Sequence, residues 1–162
     1  MGNAHLRIVA EGPPDDILRF YRDCAIKLAK PVVKGLLNLA CIKQRGVRID
    51  YAINEAGPGS DLMTPTVLVC ITFPDNKKQA NEEDRVVEER QIAHQFDVLS
   101  AILFQVKLQL RQDKVAQKYP PSMNAAKNAA CLRLPIAVLP QMLVVVGKRL
   151  DAEAAMANRL TR

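Results

Sequence analysis

The strongest pattern of hydrophobic and polar positions lies in residues 91–114, where apolar side chains recur at alternating steps of four and three residues. They are Ile92, Phe96, Leu99, Leu103, Val106 and Leu110. This spacing lines one side of an α-helix, so the stretch predicts a helix with one buried face.

Charged and polar residues around this stripe mark where the helix begins and ends. Asn81 can cap the first turn, and the acidic residues that follow it suit the positive end of the helix dipole. Basic residues populate the far end up to Lys118, and Pro120 and Pro121 stop the helix. The pattern therefore predicts a single helix over residues 82–118, about 55 Å long.

A second apolar face runs along the same helix. Ala101, Phe104 and Leu108 fall on the side opposite to the main stripe, among charged residues that include Arg111. The outward side of a surface helix in a small monomer is normally polar. Two apolar faces therefore predict that a second segment or chain packs on the second face. The second cover is either the C-terminal segment 135–160 or another protein chain, and both remain open. In the second case the predicted interface residues are Ala101, Phe104, Leu108 and Arg111.

Four segments predict β-strands. Residues 47–54, VRIDYAIN, alternate between two faces and predict a strand with one buried side. Residues 65–73, PTVLVCITF, are apolar and β-branched on both faces, which is typical of a central strand. The short runs HLRIVA (5–10) and MLVVV (142–146) predict two further strands.

Shorter helical patterns lie outside these strands. Apolar residues at helical spacing predict a helix over 17–32, where Pro31 either kinks it or starts a second helix that Gly46 closes. The segment NAAKNAACLRL (124–134) predicts a short helix, and the Ala-rich segment 150–160 predicts a final one.

The order of these elements predicts an α+β fold in which a small antiparallel sheet packs on long helices. A strand, a helix, two strands, a helix and a strand match a split βαβ (ferredoxin-like) sandwich with an extra C-terminal helix. That match depends on the strand at 142–146, and two prolines leave segment 135–146 open between strand and helix. A length of 162 residues predicts a single domain over residues 1–162.

Composition predicts a soluble protein without a bound cofactor. Hydrophobic residues make up 49% and charged residues 25%, which is ordinary for a globular chain. There is no signal-peptide pattern and no bilayer-spanning run, so we expect no membrane contact and a cytoplasmic location, or a place in a virion assembled there. The cysteines are spaced too widely for a zinc site, and the first three lie in apolar runs, which predicts burial. They are Cys24, Cys41, Cys70 and Cys131.

The net charge of +6 is unevenly distributed along the chain. It is +4 in residues 1–50, −5 in residues 51–100 and +7 in residues 101–162. A middle of one sign and ends of the other suit contacts between subunits as well as contact with a polyanion. The predicted nucleic-acid contacts are weak, salt-sensitive phosphate contacts through basic side chains of the C-terminal third. These are Lys107, Arg111, Lys114, Lys118 and Lys127.

No motif in the sequence identifies a catalytic chemistry. His94 has Asp97 one turn away, but Arg90 one turn back can pair with nearby carboxylates and would repel a protonated imidazole, so a solvated surface group is the favoured interpretation. The glycine-rich loop GPGSD (57–61) lacks a phosphate-binding pattern. Nothing in their spacing fixes the nearby carboxylates into a site for a hard cation. These are Asp50, Glu55 and Asp61.

These observations predict a non-enzymatic structural or assembly subunit, as a homo-oligomer or as part of a larger complex. It would dock through the long amphipathic helix and its charge-asymmetric surfaces. A phage virion connector or tail-completion component is one example of such a role. The alternative is a nucleic-acid-binding accessory protein that uses the basic C-terminal third.

Overall fold

The computed structural model describes residues 14–54, 65–74 and 81–161. Within these residues the chain forms four α-helices, one short 3-10 turn and four β-strands, which confirms the predicted α+β class. In chain order the elements are α1 (Pro14–Leu39), β1 (Arg48–Asn54), β2 (Thr66–Thr72), α2 (Glu82–Gln109), α3 (Lys114–Lys118), β3 (Ser122–Ala126), β4 (Ala129–Pro135), the 3-10 turn (Ile136–Val138) and α4 (Leu139–Leu160).

The four strands form one antiparallel sheet in the order β1-β2-β4-β3. Two hairpins, β1–β2 and β3–β4, meet along the β2–β4 pair. The split βαβ arrangement is not confirmed, because one of its strands (5–10) lies outside the described residues and another (142–146) lies within α4.

The C-terminal third differs most from the sequence-based expectation. The helix predicted over 124–134 is the β3–β4 hairpin, since Ala130, Leu132 and Leu134 alternate inward with a period of two. The strand predicted over 142–146 is wrong. Pro140 lies in the first turn of α4, where a missing N–H costs nothing, so the helix begins there rather than at residue 150.

The long helix is shorter than predicted at its C-terminal end. Asn81 caps α2 as expected, since its Oδ1 accepts a hydrogen bond from the Glu83 backbone N–H at 3.2 Å. The helix ends at Gln109, and Asp113 starts a new one. The Asp113 Oδ1 atom accepts from the backbone N–H groups of Val115 at 2.8 Å and Ala116 at 3.3 Å. In one continuous helix these two N–H groups would donate to backbone carbonyls of the preceding turn instead. The single helix predicted over 82–118 is therefore two helices, α2 and α3.

The helices cover one face of the sheet. In β2, Val67, Val69 and Ile71 have no exposed surface, whereas the alternate residue Cys70 is exposed. The alternation predicted for β1 is confirmed, with Tyr51 among its inward residues. The Phe73 and Phe96 rings, with centroids 5.2 Å apart, join the end of β2 to α2. On the other face of β2 Cys70 is exposed, whereas Thr66 at the start of the strand is buried, so the centre of the strand is covered on one side only.

Helix α1 is continuous through Pro31 and ends in a Schellman motif. Pro31 is exposed, so water can satisfy the carbonyl that loses its helical partner. At the C-terminus, Ile42 N–H donates to the Leu37 carbonyl at 2.9 Å, and Cys41 N–H donates to the Asn38 carbonyl at 3.1 Å. Cys41 takes the left-handed position with φ of 57°, so Gly46 is not the cap of this helix.

Helix α4 packs closely along α1, and Gly35 allows that approach. A Cβ atom at Gly35 would collide with the Cγ1 atom of Val146, a buried and β-branched side chain with few alternative rotamers. Gly147 in α4 has nothing within 4 Å of the same hypothetical atom. The two helical glycines therefore differ in their packing.

We expect Gly35→Ala to lower the free energy of unfolding by about 1–2 kcal/mol, because overpacking outweighs the gain in helix propensity. Gly147→Ala is the matched control and should raise it by about 0.5–1 kcal/mol. Urea titration followed by far-UV circular dichroism measures both. Equal stabilisation by the two substitutions would contradict the close helix crossing.

Candidate protein interface

The exposed hydrophobic side chains of the described chain concentrate on two helices. Seven large apolar residues are more than two-fifths exposed, and every one of them belongs to α2 or α4. They are Val86, Val87, Phe104, Leu108, Val144, Met156 and Leu160. Single exposed apolar residues are common, but their restriction to two neighbouring helices is typical of an interaction surface.

Helix α2 carries the predicted buried stripe and, on its opposite side, an apolar face that is exposed in the monomer. The six residues of the main stripe, from Ile92 to Leu110, are at most 9% exposed. On the far side Phe104 is 58% and Leu108 is 50% exposed, and Ala101 is exposed as well. Arg111 is exposed in the turn just after α2. The structure therefore places all four predicted interface residues at the surface, and α4 does not cover them.

Helix α4 lies beside α2 and forms a groove with it. The Arg149 guanidinium donates a hydrogen bond to the Gln105 side chain, which ties the two helices together. The groove continues across Gln109 to a depression beside Leu108 and Arg111. It is lined by Gln109, Val145, Lys148, Arg149, Ala152, Glu153 and Met156. We call the exposed face of α2 together with this groove the α2–α4 surface.

The last three turns of α4 extend this surface. Every residue from 151 to 161 is exposed, including Met156 at 65% and Leu160 at 81%. A helix end whose side chains are all exposed gains little from burial, so its apolar side chains contribute little to the stability of the fold. They are available to a partner.

The charge of the α2–α3 region is opposite at its two ends. Residues 82–90 contain five acidic and two basic side chains, a net of −3. Residues 107–118 contain four basic and one acidic side chain, a net of +3. With the exposed apolar residues Ala101 and Phe104 between them, this gives the surface a direction.

The residues predicted to contact nucleic acid lie on several elements. Lys107 is half-buried on α2, Arg111 follows that helix, and Lys114 and Lys118 are exposed on α3. These four follow one another along the chain, but Lys127 lies in the β3–β4 turn with φ of 37°. The Lys118 ammonium sits 5.6 Å from the Tyr119 ring centroid.

The candidate catalytic and metal-binding residues form no enclosed site in the described part of the chain. His94 is exposed on α2 and lines an open depression with Val87, Arg90 and two glutamines. Asp50 pairs with Arg48 at 3.0 Å on the sheet surface, whereas Glu55, Asp61 and the loop 57–61 lie outside the described residues. Within the described ranges no three potential ligands come together as a metal site requires.

Two features of the structure, the α2–α4 groove and a pair of cysteines on the sheet, were not predicted from the sequence. The groove depends on residues 139–149 being helical, and a run of valines there favoured a strand. The other is a cysteine pair on the open face of the sheet, where Cys70 and Cys131 are neighbours although Cys70 was expected to be buried. Cys41 was expected to be buried too, and it is exposed, while Cys24 is half-buried. Only the sheet register reveals the pair.

Comparisons with known proteins add no functional assignment. No protein-family model, curated protein or solved structure gives a significant match to this chain. Among the described helices, none combines the length and hydropathy that crossing a bilayer requires. A function must therefore be inferred from the geometry of the surface itself.

We expect Phe104→Ser to change the free energy of unfolding of the monomer by less than about 0.5 kcal/mol, because the ring packs little within the chain. Leu103→Ala, one residue away on the buried stripe, should cost about 2–5 kcal/mol. Urea titration at low protein concentration measures both. A large loss for Phe104→Ser would mean that the ring is needed by the fold rather than by a partner.

Proposed function

We propose that this protein is a non-enzymatic assembly subunit whose α2–α4 surface binds a second copy of the same chain. The observation that carries the proposal is the exposure of Phe104 and Leu108 at the middle of a long helix whose other face is fully buried. Burying both side chains against a partner would contribute several kcal/mol of hydrophobic free energy, at roughly 25 cal/mol per Å² of apolar surface.

Charge complementarity favours a second copy as the partner. If two copies pair with α2 antiparallel, the acidic residues 82–90 of each lie beside the basic residues 107–118 of the other. A two-fold axis makes this match twice, since both copies contribute the same patch. A parallel arrangement would place like charges side by side, which is unfavourable.

One face of α2 alone is too small for a stable interface, so the proposed contact needs both α2 and α4. A helix of 28 residues is about 42 Å long and about 10 Å wide, so one face of α2 offers on the order of 400 Å². A stable specific interface buries about 800 Å² on each partner. The groove against α4 and the exposed turns over 151–161 supply additional area, so the proposed contact includes them.

The nucleic-acid alternative is less well supported by the geometry. Four of its five basic residues follow one another at the end of α2 and along α3, but Lys127 lies on a separate hairpin. In the proposed dimer the basic residues 107–118 instead lie beside the acidic residues 82–90 of the second copy. A role in a phage virion stays a prediction, because no described feature distinguishes a virion from any other assembly.

We expect the purified chain to form a closed oligomer that Phe104→Glu dissociates to the monomer, because a carboxylate in the centre of an apolar contact is left desolvated and unpaired. Static light scattering gives the mass. Val144→Glu is the matched control, since Val144 is 55% exposed on α4 but lines no part of the groove.

A monomeric wild-type chain at every concentration would contradict self-association. Nucleic-acid binding would then be tested with a DNA duplex at several salt concentrations. In that case Lys114→Glu with Lys118→Glu should flatten the salt dependence of the dissociation constant.

The antiparallel arrangement predicts a reciprocal charge effect. Arg111→Glu with Lys114→Glu should weaken association about tenfold or more, and Glu82→Lys with Glu89→Lys should do the same, because each places like charges together. All four substitutions in one chain should restore most of the affinity. Analytical ultracentrifugation at low and high salt measures the dissociation constant. Strengthened association in either double variant would exclude this orientation.

A further inference from the structure

The open face of the sheet carries a pair of thiols at its centre. Cys70 on β2 and Cys131 on β4 are directly opposite one another in the antiparallel register. Their Sγ atoms are 3.9 Å apart, and the Cys70 thiol donates to the Cys131 sulfur. The two positions are 61 residues apart in sequence, so the sheet alone brings them together.

The backbone at this pair suits a disulfide. Directly opposed residues in an antiparallel sheet have Cα atoms about 4.5 or about 5.5 Å apart, and disulfides form when that distance is about 4.4–6.8 Å. An S–S bond is about 2.05 Å long, so each sulfur needs to move by only about 1 Å. A rotation about the side-chain bonds is enough, and the strands need not separate.

The pair is accessible to a small reagent. Cys70 is exposed and Cys131 is half-buried, and no described helix covers this face of the sheet. In the same cross-strand row lie Asp50 on β1 and Asn124 on β3, both exposed. Leu68 and Arg133 form the next row on the same face, and the exposure of Cys70 leaves one side of the pair open to a disulfide reagent.

We propose that Cys70 and Cys131 are a modification site at which an intramolecular disulfide forms reversibly by exchange with a low-molecular-weight disulfide such as oxidised glutathione. The Cys70 thiolate attacks one sulfur of the reagent, which forms a mixed disulfide and releases one reagent thiolate. The Cys131 thiolate then attacks Cys70 Sγ, which forms the Cys70–Cys131 bond and releases the second. The two cysteine protons end on the two released thiols, and the reagent takes up two electrons.

The order of the two attacks follows from the environment of each sulfur. Burial raises the pKa of the Cys131 thiol, and the interaction with the neighbouring Cys70 sulfur raises it further, although nearby Arg133 acts in the opposite direction. A thiol that stays protonated reacts slowly with a reagent in solution. The more exposed Cys70 is therefore the first nucleophile, and Cys131 closes the bond.

The bond would join the two strands on which both hairpins meet. It closes a loop of about 60 residues, and cross-links of that length restrict the unfolded chain strongly. The oxidised chain should therefore melt about 5–15 °C above the reduced one. This inference does not depend on the proposed function, because the thiols lie on the sheet face turned away from the helices.

The test uses the full chain and a variant with Cys24→Ser and Cys41→Ser, which retains only the two sheet cysteines. Each is equilibrated without oxygen in buffers of reduced and oxidised glutathione, then alkylated and mapped by mass spectrometry. We expect both to lose two hydrogens and to yield one cross-linked peptide pair containing Cys70 and Cys131. Excess reduced glutathione should reopen the bond. In the same background, Cys131→Ser should accumulate a glutathione adduct on Cys70 faster than Cys70→Ser accumulates one on Cys131.

Several outcomes would overturn the proposal. The thiols could stay reduced at every glutathione ratio, or glutathione adducts could persist on both cysteines without closure. A bond between two copies, or one from Cys24 or Cys41 in the full chain, would place the reactive pair elsewhere. A bond that excess reduced glutathione fails to open would be a permanent cross-link rather than a reversible modification.

Discussion

One-sided burial of the β2–β4 strand pair is the constraint on which the rest of this structure depends. Val67, Val69 and Ile71 on β2 and Leu132 and Leu134 on β4 have no exposed surface, so the helices must cover that face. Helix α1 packs on the sheet and α4 packs on α1, where Gly35 permits the two backbones to approach. Because the helices cover this face, two surfaces of the described chain stay exposed. They are the opposite face of the sheet around Cys70 and the outward side of α2 and α4.

Those two features differ in chemistry, and that difference separates their proposed roles. The open side of the sheet carries mainly polar or charged residues around the thiol pair, namely Asp50, Asn124 and Arg133 with the single apolar neighbour Leu68, which suits a covalent modification rather than a large contact. The α2–α4 surface has exposed apolar side chains and opposite charges at its two ends. Apolar area supplies affinity and charge sets the orientation, so this side suits a protein partner.

Local polar side chains start α2 and α3, whereas α4 begins without a side-chain cap and owes its first turns to tertiary contacts. Asn81 starts α2 as its position predicts, because an N-cap interaction is local. Asp113 divides the predicted long helix by the same kind of local interaction, but the basic residues on both sides favour continuity and hide that signal. Residues 139–149 are helical because Leu139, Met142 and Val146 bury one side against the core, which overrides the strand preference of the valines.

The sequence by itself determined the α+β class, the α2 stripe, the β1 and β2 strands and the second apolar side of α2 that carries Phe104 and Leu108. These follow from periodicity, which records which side of an element meets the core. Only the tertiary structure decided that 124–134 pairs as a hairpin, that α4 leaves Phe104 uncovered, and that Cys70 lies beside Cys131. Each of these depends on contacts between residues far apart in the chain, and a single sequence contains no local pattern that specifies such pairs.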